Sequence, residues 1–428
     1  MTPHELEELV RENIISRETA TQIASYYKSK QEQPKQNRLL LIFGVLGALL
    51  IGLGIILILA SNWDELPKTV RVLFAFLPLV AMQILCGYTL LRKNDNRVWR
   101  ESSALLLIFA IGASISLISQ IYHISGEMST FLLTWILLGL PIIYIMKSAT
   151  SSILYLIGIT VYAMEIGYWN YPTRIPYEYW LLLVGIIPFY LYIRKEQTLS
   201  NFVFFHHIII ALSVTIMLSS LSKGESLLMF IPYMNLFGIF LLMGSTPLKE
   251  KLKIHDNALF SIGTIGTLIL LYINSFHSMW RYINNIEDIY FQFFDFPLFI
   301  PMLLTTIIGF YLFISKLKKV GWGGIRPLEF IFIFFFILII TFMKFPTIIA
   351  IGSNLAILII GINTILRGIK QNHLGVVNFG LIIISTLILT RFFDTNISFL
   401  LRGLIFIGIG IGFFVTNYQL LKKRKAHE

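Results

Sequence analysis

Three polar residues and a tryptophan follow the first long apolar stretch of the sequence: Asn62, Trp63, Asp64 and Glu65. Neighbouring carboxyl groups suit acid–base chemistry, because one can donate a proton while the other accepts one. If Asp64 and Glu65 worked in this way, the protein would be a membrane-embedded enzyme acting on a lipid-linked substrate at the external face. The alternative is structural: Trp63 anchors at the membrane interface, and Asn62 and Asp64 cap the adjoining helices.

A second polar group lies near the end of the sequence, where Arg391, Asp394 and Arg402 interrupt apolar residues. Charge inside a membrane is costly, so such groups normally face the protein interior with a partner. Arg391 and Asp394 are three residues apart, a spacing that allows them to pair on one helix face. We interpret this group either as a structural clamp or as an anion-binding site.

Other polar residues lie in or beside apolar stretches. Gln120, Tyr122 and His123 form one such group, and Glu165 stands by itself. Each could line a path for protons or ions. Glu329 lies at the start of a predicted helix, where the helix dipole and a side chain that reaches the membrane surface explain it without a function.

Common catalytic and nucleotide-binding signatures do not occur: the sequence has no GxxxxGK[ST] phosphate loop, no HExxH helix and no GxSxG turn. His206 and His207 are adjacent, so on a helix they point about 100° apart and do not face one metal. The single cysteine, Cys86, excludes an intramolecular disulfide and a thiolate cluster. We therefore predict no catalytic residue, no metal and no cofactor, and we favour a protein that is not an enzyme.

The elements that position these residues follow from composition. Hydrophobic residues make up 56% of the 428 positions and charged residues 13%, and the mean hydropathy is +0.76. A soluble fold cannot bury so much apolar surface. The apolar residues form runs of about twenty, enough for a helix to cross a hydrocarbon layer of about 30 Å. They are apolar on every face, unlike the alternating strands of a barrel. We predict an all-α, polytopic membrane bundle.

We count about fourteen transmembrane helices by the length of these runs. The predicted spans are 39–60, 70–91, 102–121, 129–146, 149–168, 179–193, 201–221, 226–245, 257–276, 296–315, 325–343, 347–366, 374–392 and 397–420. An even number of spans places both termini on the same side of the membrane.

The distribution of Lys and Arg identifies that side. Most of the 34 Lys and Arg fall in loops on the side of the N-terminus, such as the loop with Lys249, Lys251 and Lys253. Cationic loops are retained in the cytoplasm, so we predict that both termini are cytoplasmic. The formal net charge of +11 then reflects topology, and we expect the lipid bilayer, not a nucleic acid, as the partner.

Residues 1–38 are predicted to form a short cytosolic helical hairpin with a polar linker, and residues 39–428 the multi-pass transmembrane domain. Ser16 can cap the second helix of the hairpin. So small a unit cannot bury a core of its own. We expect it to pack on the membrane surface, on cytosolic loops or on a cytosolic protein partner.

Several motifs resemble the bacterial predicted membrane proteins of domain of unknown function 2157. In the first third of the chain these are the residues Ile14, Ile15, Ser16 and Glu18, the segment from Gly44 through Gly54 to Asn62, Trp63 and Asp64, and Gln120, Ile121 and Tyr122. The C-terminal block from Arg391 through Asp394 to Arg402 and Gly403 is also similar to the ends of that family and of its companion membrane family. The resemblance implies a protein of the bacterial inner membrane and transfers no activity or residue role.

Three hypotheses about function follow. Many spans, short loops and few intramembrane polar groups favour a transporter-like or channel-like protein for a small solute, an ion or a lipid-linked molecule. The others are the membrane-embedded enzyme described above and a scaffold or sensor that acts through the N-terminal hairpin. Small residues spaced four apart, such as Gly408 and Gly412, fit helix packing within a chain or between chains and leave the oligomeric state open.

Overall fold

The structure is a computed structural model. It describes residues 11–12, 16–23, 63–169, 173–196, 201–222, 229–245, 257–280, 296–342 and 345–394, and isolated positions between 400 and 418. The regular elements in this part of the chain are helices, and no strand occurs among them. The prediction of a helical membrane bundle is confirmed.

The long helices are numbered α1 to α12 in chain order. They are α1 (Lys68–Arg92), α2 (Arg97–Ile121), α3 (Met128–Met146), α4 (Ala149–Met164), α5 (Tyr177–Glu196), α6 (Asn201–Leu218), α7 (Phe230–Gly244), α8 (Ala258–Ser275), α9 (Phe296–Val320), α10 (Pro327–Phe342), α11 (Pro346–Lys370) and α12 (Leu374–Asp394). Shorter helical segments are Trp63–Glu65, a π-helical turn at Glu165–Trp169, Ser219–Ser222, His277–Trp280 and Trp322–Gly324.

Each predicted span from residue 70 to residue 392 coincides with one of these helices, with ends displaced by a few residues. Nine helical segments in the described ranges are long and apolar enough to cross a membrane. Helices α7 and α10 are apolar but shorter, with 15 and 16 residues. The predicted first span, 39–60, and most of the last, 397–420, lie outside the described residues, so the count of fourteen stays a prediction.

The N-terminal segment is described only in part. Residues 17–23 are helical, and the Ser16 hydroxyl accepts a hydrogen bond from the Thr19 backbone N–H at 3.1 Å. This confirms the predicted helix cap. The rest of the predicted hairpin and its boundary at residue 38 lie outside the described residues. The chain forms two compact units, Met1–Phe76 and Leu77–Glu428. Every tertiary contact described below lies within the second unit.

Hydrogen bonds between helices establish their relative directions. Helices α4 and α6 are joined by pairs of side chains 54, 53 and 51 residues apart, which is the pattern of parallel neighbours. Helices α7 and α9 are likewise joined by two pairs that are both 71 residues apart. Parallel alignment of alternate helices is the arrangement expected when successive helices cross a membrane in opposite directions.

Helix α7 lies at the centre of the second half of the bundle. Nearly all its residues are buried, so it is apolar around its whole circumference, unlike a surface helix with one apolar stripe. It packs closely against α8. A Cβ atom added to Gly263 of α8 would lie 2.8 Å from the Phe237 carbonyl oxygen and 2.9 Å from the Leu241 backbone nitrogen. Because both of these atoms belong to the backbone of α7, a side-chain rotation cannot relieve the overlap.

Substituting Gly263→Ala is therefore expected to lower the free energy of unfolding by about 1–3 kcal/mol, the usual cost of overpacking. Thermal unfolding of the purified protein in detergent measures the loss. Gly87→Ala is the matched control, since a Cβ atom there meets no atom within 4 Å, and alanine favours helix. Equal effects of the two substitutions would refute the close approach of α7 and α8.

Candidate functional site

Polar side chains connect the buried faces of α4 and α6 at three levels. At the first level, the Ser152 hydroxyl lies 2.9 Å from His206 Nε2, and both residues are fully buried. His206 Nδ1 lies 2.6 Å from the Phe202 carbonyl oxygen. A carbonyl oxygen can only accept, so Nδ1 carries the hydrogen, and Nε2 of the neutral ring accepts from Ser152.

The middle level joins three helices through one hydroxyl group. Ser213 of α6 lies 2.6 Å from the Thr160 hydroxyl of α4 and 2.6 Å from the Tyr179 hydroxyl of α5. Ser213 and Tyr179 are buried. The Thr160 hydroxyl also donates to the Leu156 carbonyl oxygen of its own helix at 2.7 Å. Because each hydroxyl donates one hydrogen bond and accepts two, Thr160 accepts from Ser213, and Ser213 accepts from Tyr179.

The third level lies in the short segments that follow α4 and α6 and is partly open. The Tyr168 hydroxyl contacts the Ser219 hydroxyl and donates to the Ile216 carbonyl oxygen. Tyr168 is 39% exposed, whereas Ser152 and His206 at the first level are fully buried. The levels therefore follow the helix axis from a closed end to an open one.

We call these groups the polar seam. Its members are Ser152, Tyr155, Thr160, Tyr168, Tyr179, His206, Ser213 and Ser219. Tyr155 lies between the first two levels and donates to the Leu182 carbonyl oxygen at 3.0 Å. Polar groups inside a membrane bundle commonly stabilise helix–helix contacts through hydrogen bonds or line the path of a substrate or ion.

The seam was not predicted from the sequence, although a signal exists. Within the apolar run of α6, the seam residues His206 and Ser213 are seven residues apart, the spacing of one helix face. His206 was considered only as a metal ligand. In the structure His206 and His207 contact different partners, Ser152 and Tyr190. Among the described residues, no group of three His, Cys, Asp or Glu is placed to hold a metal.

One predicted candidate lies beside the seam. Glu165 begins the π-helical turn Glu165–Trp169, which also contains Tyr168 of the third level. The π-turn packs on the segment after α6, since a Cβ atom at Gly167 would lie 3.2 Å from that of Ser220. π-Turns inside α-helices are frequent at functional sites.

The other candidates, which lie near the predicted external ends of helices, are more exposed. Gln120, Tyr122 and His123 share the turn that ends α2, and all three are exposed. Trp63 and Glu65 belong to the short helix Trp63–Glu65, with Trp63 half-buried and Glu65 exposed. Asn62 and the side chain of Asp64 lie outside the described residues. The proposed acid–base pair therefore remains a prediction.

Arg391 connects α12 to the end of α8. Its guanidinium donates to the Ser275 carbonyl oxygen and to the Ser275 hydroxyl, both at 2.8 Å, and lies 4.9 Å from the centre of the Phe276 ring. Asn354 of α11 donates to the same carbonyl oxygen at 3.1 Å. These contacts fit the clamp interpretation. The Asp394 side chain and Arg402 lie outside the described residues.

The interpretation of Glu329 as a side chain that reaches the membrane surface is wrong. Glu329 is 0% exposed, and its Oε2 lies 2.8 Å from Lys316 Nζ of α9. Lys316 also donates to the Ser245 hydroxyl at 2.8 Å, and Arg326 Nε lies 3.6 Å from Glu329 Oε1. The carboxylate thus ties α7, α9 and α10 together at their predicted cytoplasmic ends.

Comparison with known proteins identifies a family similar to the N-terminal third of the chain. Residues 7–152 match the model of a family described as Predicted membrane protein (DUF2157). Neither the curated proteins nor the solved structures include a match to the chain. The C-terminal block from Arg391 to Gly403 lies outside the matched residues. Over residues 7–152 the chain is therefore similar to the DUF2157 family of predicted membrane proteins, as its N-terminal motifs had indicated.

Proposed function

We propose that this membrane protein passes a small ion, in the simplest case a proton, along the polar seam between α4, α5 and α6. The observation that carries the proposal is the series of hydrogen-bonded levels from Ser152 and His206 to Tyr168 and Ser219. Chains of titratable and hydroxyl groups across a bundle are typical of proton relays.

The chemistry of the side chains supports a proton as the transported species. A hydroxyl group both donates and accepts, so a proton that arrives at Ser213 from one neighbour can leave toward the other. His206 Nε2 can take up a proton from the Ser152 side because Nδ1 is held by the Phe202 carbonyl. The oxygens of the middle level are in direct contact at 2.6 Å, so a larger solute would have to separate them.

The charged residues of the second half support the same choice indirectly. Arg391 contacts the end of α8, and Glu329 at the start of α10 contacts Lys316 of α9. These contacts support structural roles for both residues. The seam is polar without carrying a permanent charge. Ion passage there would not require breaking a salt bridge.

Proton flux into proteoliposomes tests the proposal. Liposomes that contain the full chain and a trapped pH-sensitive dye are given a potassium diffusion potential with valinomycin. Ser213→Ala removes the hydroxyl that connects three helices, so the proton flux is expected to fall about tenfold or more, equivalent to about 1.4 kcal/mol in the barrier. Ser213→Thr keeps a hydroxyl and is expected to retain most of the flux.

The matched control is Thr134→Ala on α3. Thr134 is exposed, and its hydroxyl bonds to the Thr130 carbonyl of its own helix. This variant is expected to conduct like the wild type. A wild-type flux equal to that of protein-free liposomes, or an unchanged flux in a folded Ser213→Ala variant, would contradict the proposal.

A further inference from the structure

A small cavity opens where the ends of α2, α4 and α5 meet. It encloses about 40 Å³, room for a few water molecules. Its lining residues are Arg97, Arg100, Glu101, Lys147, Ala149, Tyr192 and Ile193. Three cations and one carboxylate thus face the same space. The predicted topology places all of them at the cytoplasmic side.

The carboxylate of Glu101 accepts hydrogen bonds from the residues at the start of α4. It accepts hydrogen bonds from the Ser148 hydroxyl at 2.6 Å and from the backbone N–H groups of Ala149 and Thr150 at 3.1 and 2.9 Å. Arg97 Nε lies 3.7 Å from the same carboxylate. Glu101 and Arg97 therefore largely compensate each other, and the first turn of α4 satisfies the acceptors of Glu101.

The carboxylate of Glu101 does not neutralise the other two cations, Arg100 and Lys147. Arg100 Nε is buried without a hydrogen-bond partner among the described residues. Lys147 ends α3 in the left-handed conformation, with φ 49°, and its ammonium lies 6.0 Å from the centre of the Tyr192 ring. A buried guanidinium donor without an acceptor is unfavourable. An anion in the cavity would satisfy it.

The surface beside the cavity is apolar. Ile145 of α3 is 60% exposed and Leu191 of α5 is 51% exposed, and both lie near the ends of the helices that meet at the cavity. In a membrane bundle such side chains face acyl chains. Tyr192, with an apolar ring and a polar hydroxyl, is typical of the membrane–water interface. The cavity therefore lies at headgroup depth beside a lipid-facing surface.

We propose that this cavity binds the phosphate of an anionic phospholipid headgroup. Arg100 donates to the phosphate oxygens through its planar guanidinium, and Lys147 adds a second positive charge. The acyl chains lie along the exposed residues of α3 and α5. The cavity and the polar seam share no residue, and the test of the cavity does not measure ion flux.

Native mass spectrometry of the purified full chain in detergent tests the site. Phosphatidylglycerol is expected to remain bound, whereas phosphatidylcholine, which has the same phosphate but no net charge, is expected to dissociate more easily. The variant with Arg100→Gln and Lys147→Gln is expected to bind phosphatidylglycerol roughly 30-fold more weakly, the effect of removing two cations near an anionic surface.

Two further variants control for folding and for general charge. Lys147→Gln changes an exposed residue, so it should fold normally, and roughly fivefold weaker binding is expected. Lys318→Gln with Lys319→Gln removes two positive charges, as the variant of Arg100 and Lys147 does, from the same predicted side and away from the cavity. This variant is expected to bind like the wild type.

Three results would overturn the proposal. The first is equal retention of phosphatidylglycerol and phosphatidylcholine. The second is unchanged binding in the variant that lacks both Arg100 and Lys147. The third is inorganic phosphate that displaces phosphatidylglycerol at matched concentration, because the cavity would then recognise the free anion and not the lipid.

Discussion

Substituting Glu329→Ala is expected to lower the free energy of unfolding by about 3–5 kcal/mol. Lys316 keeps only 13% of its side chain exposed, and in the wild type its ammonium faces a carboxylate oxygen at 2.8 Å. Without that carboxylate, the ammonium remains enclosed with the Ser245 hydroxyl as its nearest acceptor. An enclosed charge that has lost its counter-ion accounts for the size of the effect.

The loss can be measured as the free energy of unfolding in lipid bicelles. Lys318→Met is the matched control. Lys318 lies on α9 with Lys316 and is exposed, so this substitution is expected to change stability by less than about 0.5 kcal/mol. Combining Lys316→Met with Glu329→Leu replaces both charges by apolar groups. This double variant is expected to be more stable than the variant with Lys316→Met alone and the variant with Glu329→Leu alone.

The pairing would be refuted by two outcomes. One is a Glu329→Ala variant with wild-type stability. The other is a double variant whose loss equals the sum of the single losses, because independent sites behave additively and contacting charges do not.

The helices could be predicted from the sequence because hydrophobic length alone specifies them. The apolar run at 102–121 becomes α2, and the run at 374–392 becomes α12, each extended by a few residues. The bilayer requires every backbone group in a span to bond within its own segment, so an apolar run of this length has one regular structure. Polar caps such as Asn96 and Ser148, whose side chains accept backbone hydrogen bonds, then set the ends.

Contacts between helices could not be predicted in the same way. Ser275 and Arg391 are 116 residues apart, and Thr160 and Ser213 are 53 apart. In a membrane helix both the lipid-facing and the buried side are apolar, so hydropathy does not reveal which side meets a neighbour. Glu329 shows the consequence: its helix was placed correctly, whereas its partner Lys316, on the preceding helix, was missed.

The polar seam was missed for a related reason. Ser213 and Thr160 are small and tolerated in apolar spans, because a hydroxyl can bond to the carbonyl of its own helix. Thr134 does so on the exposed side of α3. From the sequence, Ser213 and Thr134 look alike. Packing alone distinguishes a hydroxyl that bonds across helices from one that bonds within its helix.

These contacts divide the second unit by chemistry. In α7 to α12 the charged side chains bridge helices at the two ends, through Glu329 on one side and Arg391 on the other. In α4 to α6 neutral hydroxyl and imidazole groups run along the interior. The proposed proton path along the polar seam therefore contains none of these charged contacts.

Substituting Arg391→Met is expected to lower the free energy of unfolding by about 2–4 kcal/mol, the sum expected for one charge-assisted hydrogen bond that nothing replaces and a cation–π contact. The Ser275 carbonyl oxygen keeps its bond from Asn354 in the variant, which limits the loss. Lys370→Met is the control, because Lys370 is an exposed cation in the last turn of α11. It is expected to leave stability nearly unchanged.

A double-mutant cycle separates the clamp from the alternative of an anion site. Ser275→Ala removes one of the two acceptors of Arg391, so the clamp requires a coupling energy between the two substitutions of at least about 0.5 kcal/mol. An anion site makes a different demand: added sulfate should stabilise the wild type and leave Arg391→Met unaffected. Additive losses together with sulfate protection would refute the clamp, because Arg391 would then act through a ligand and not through α8.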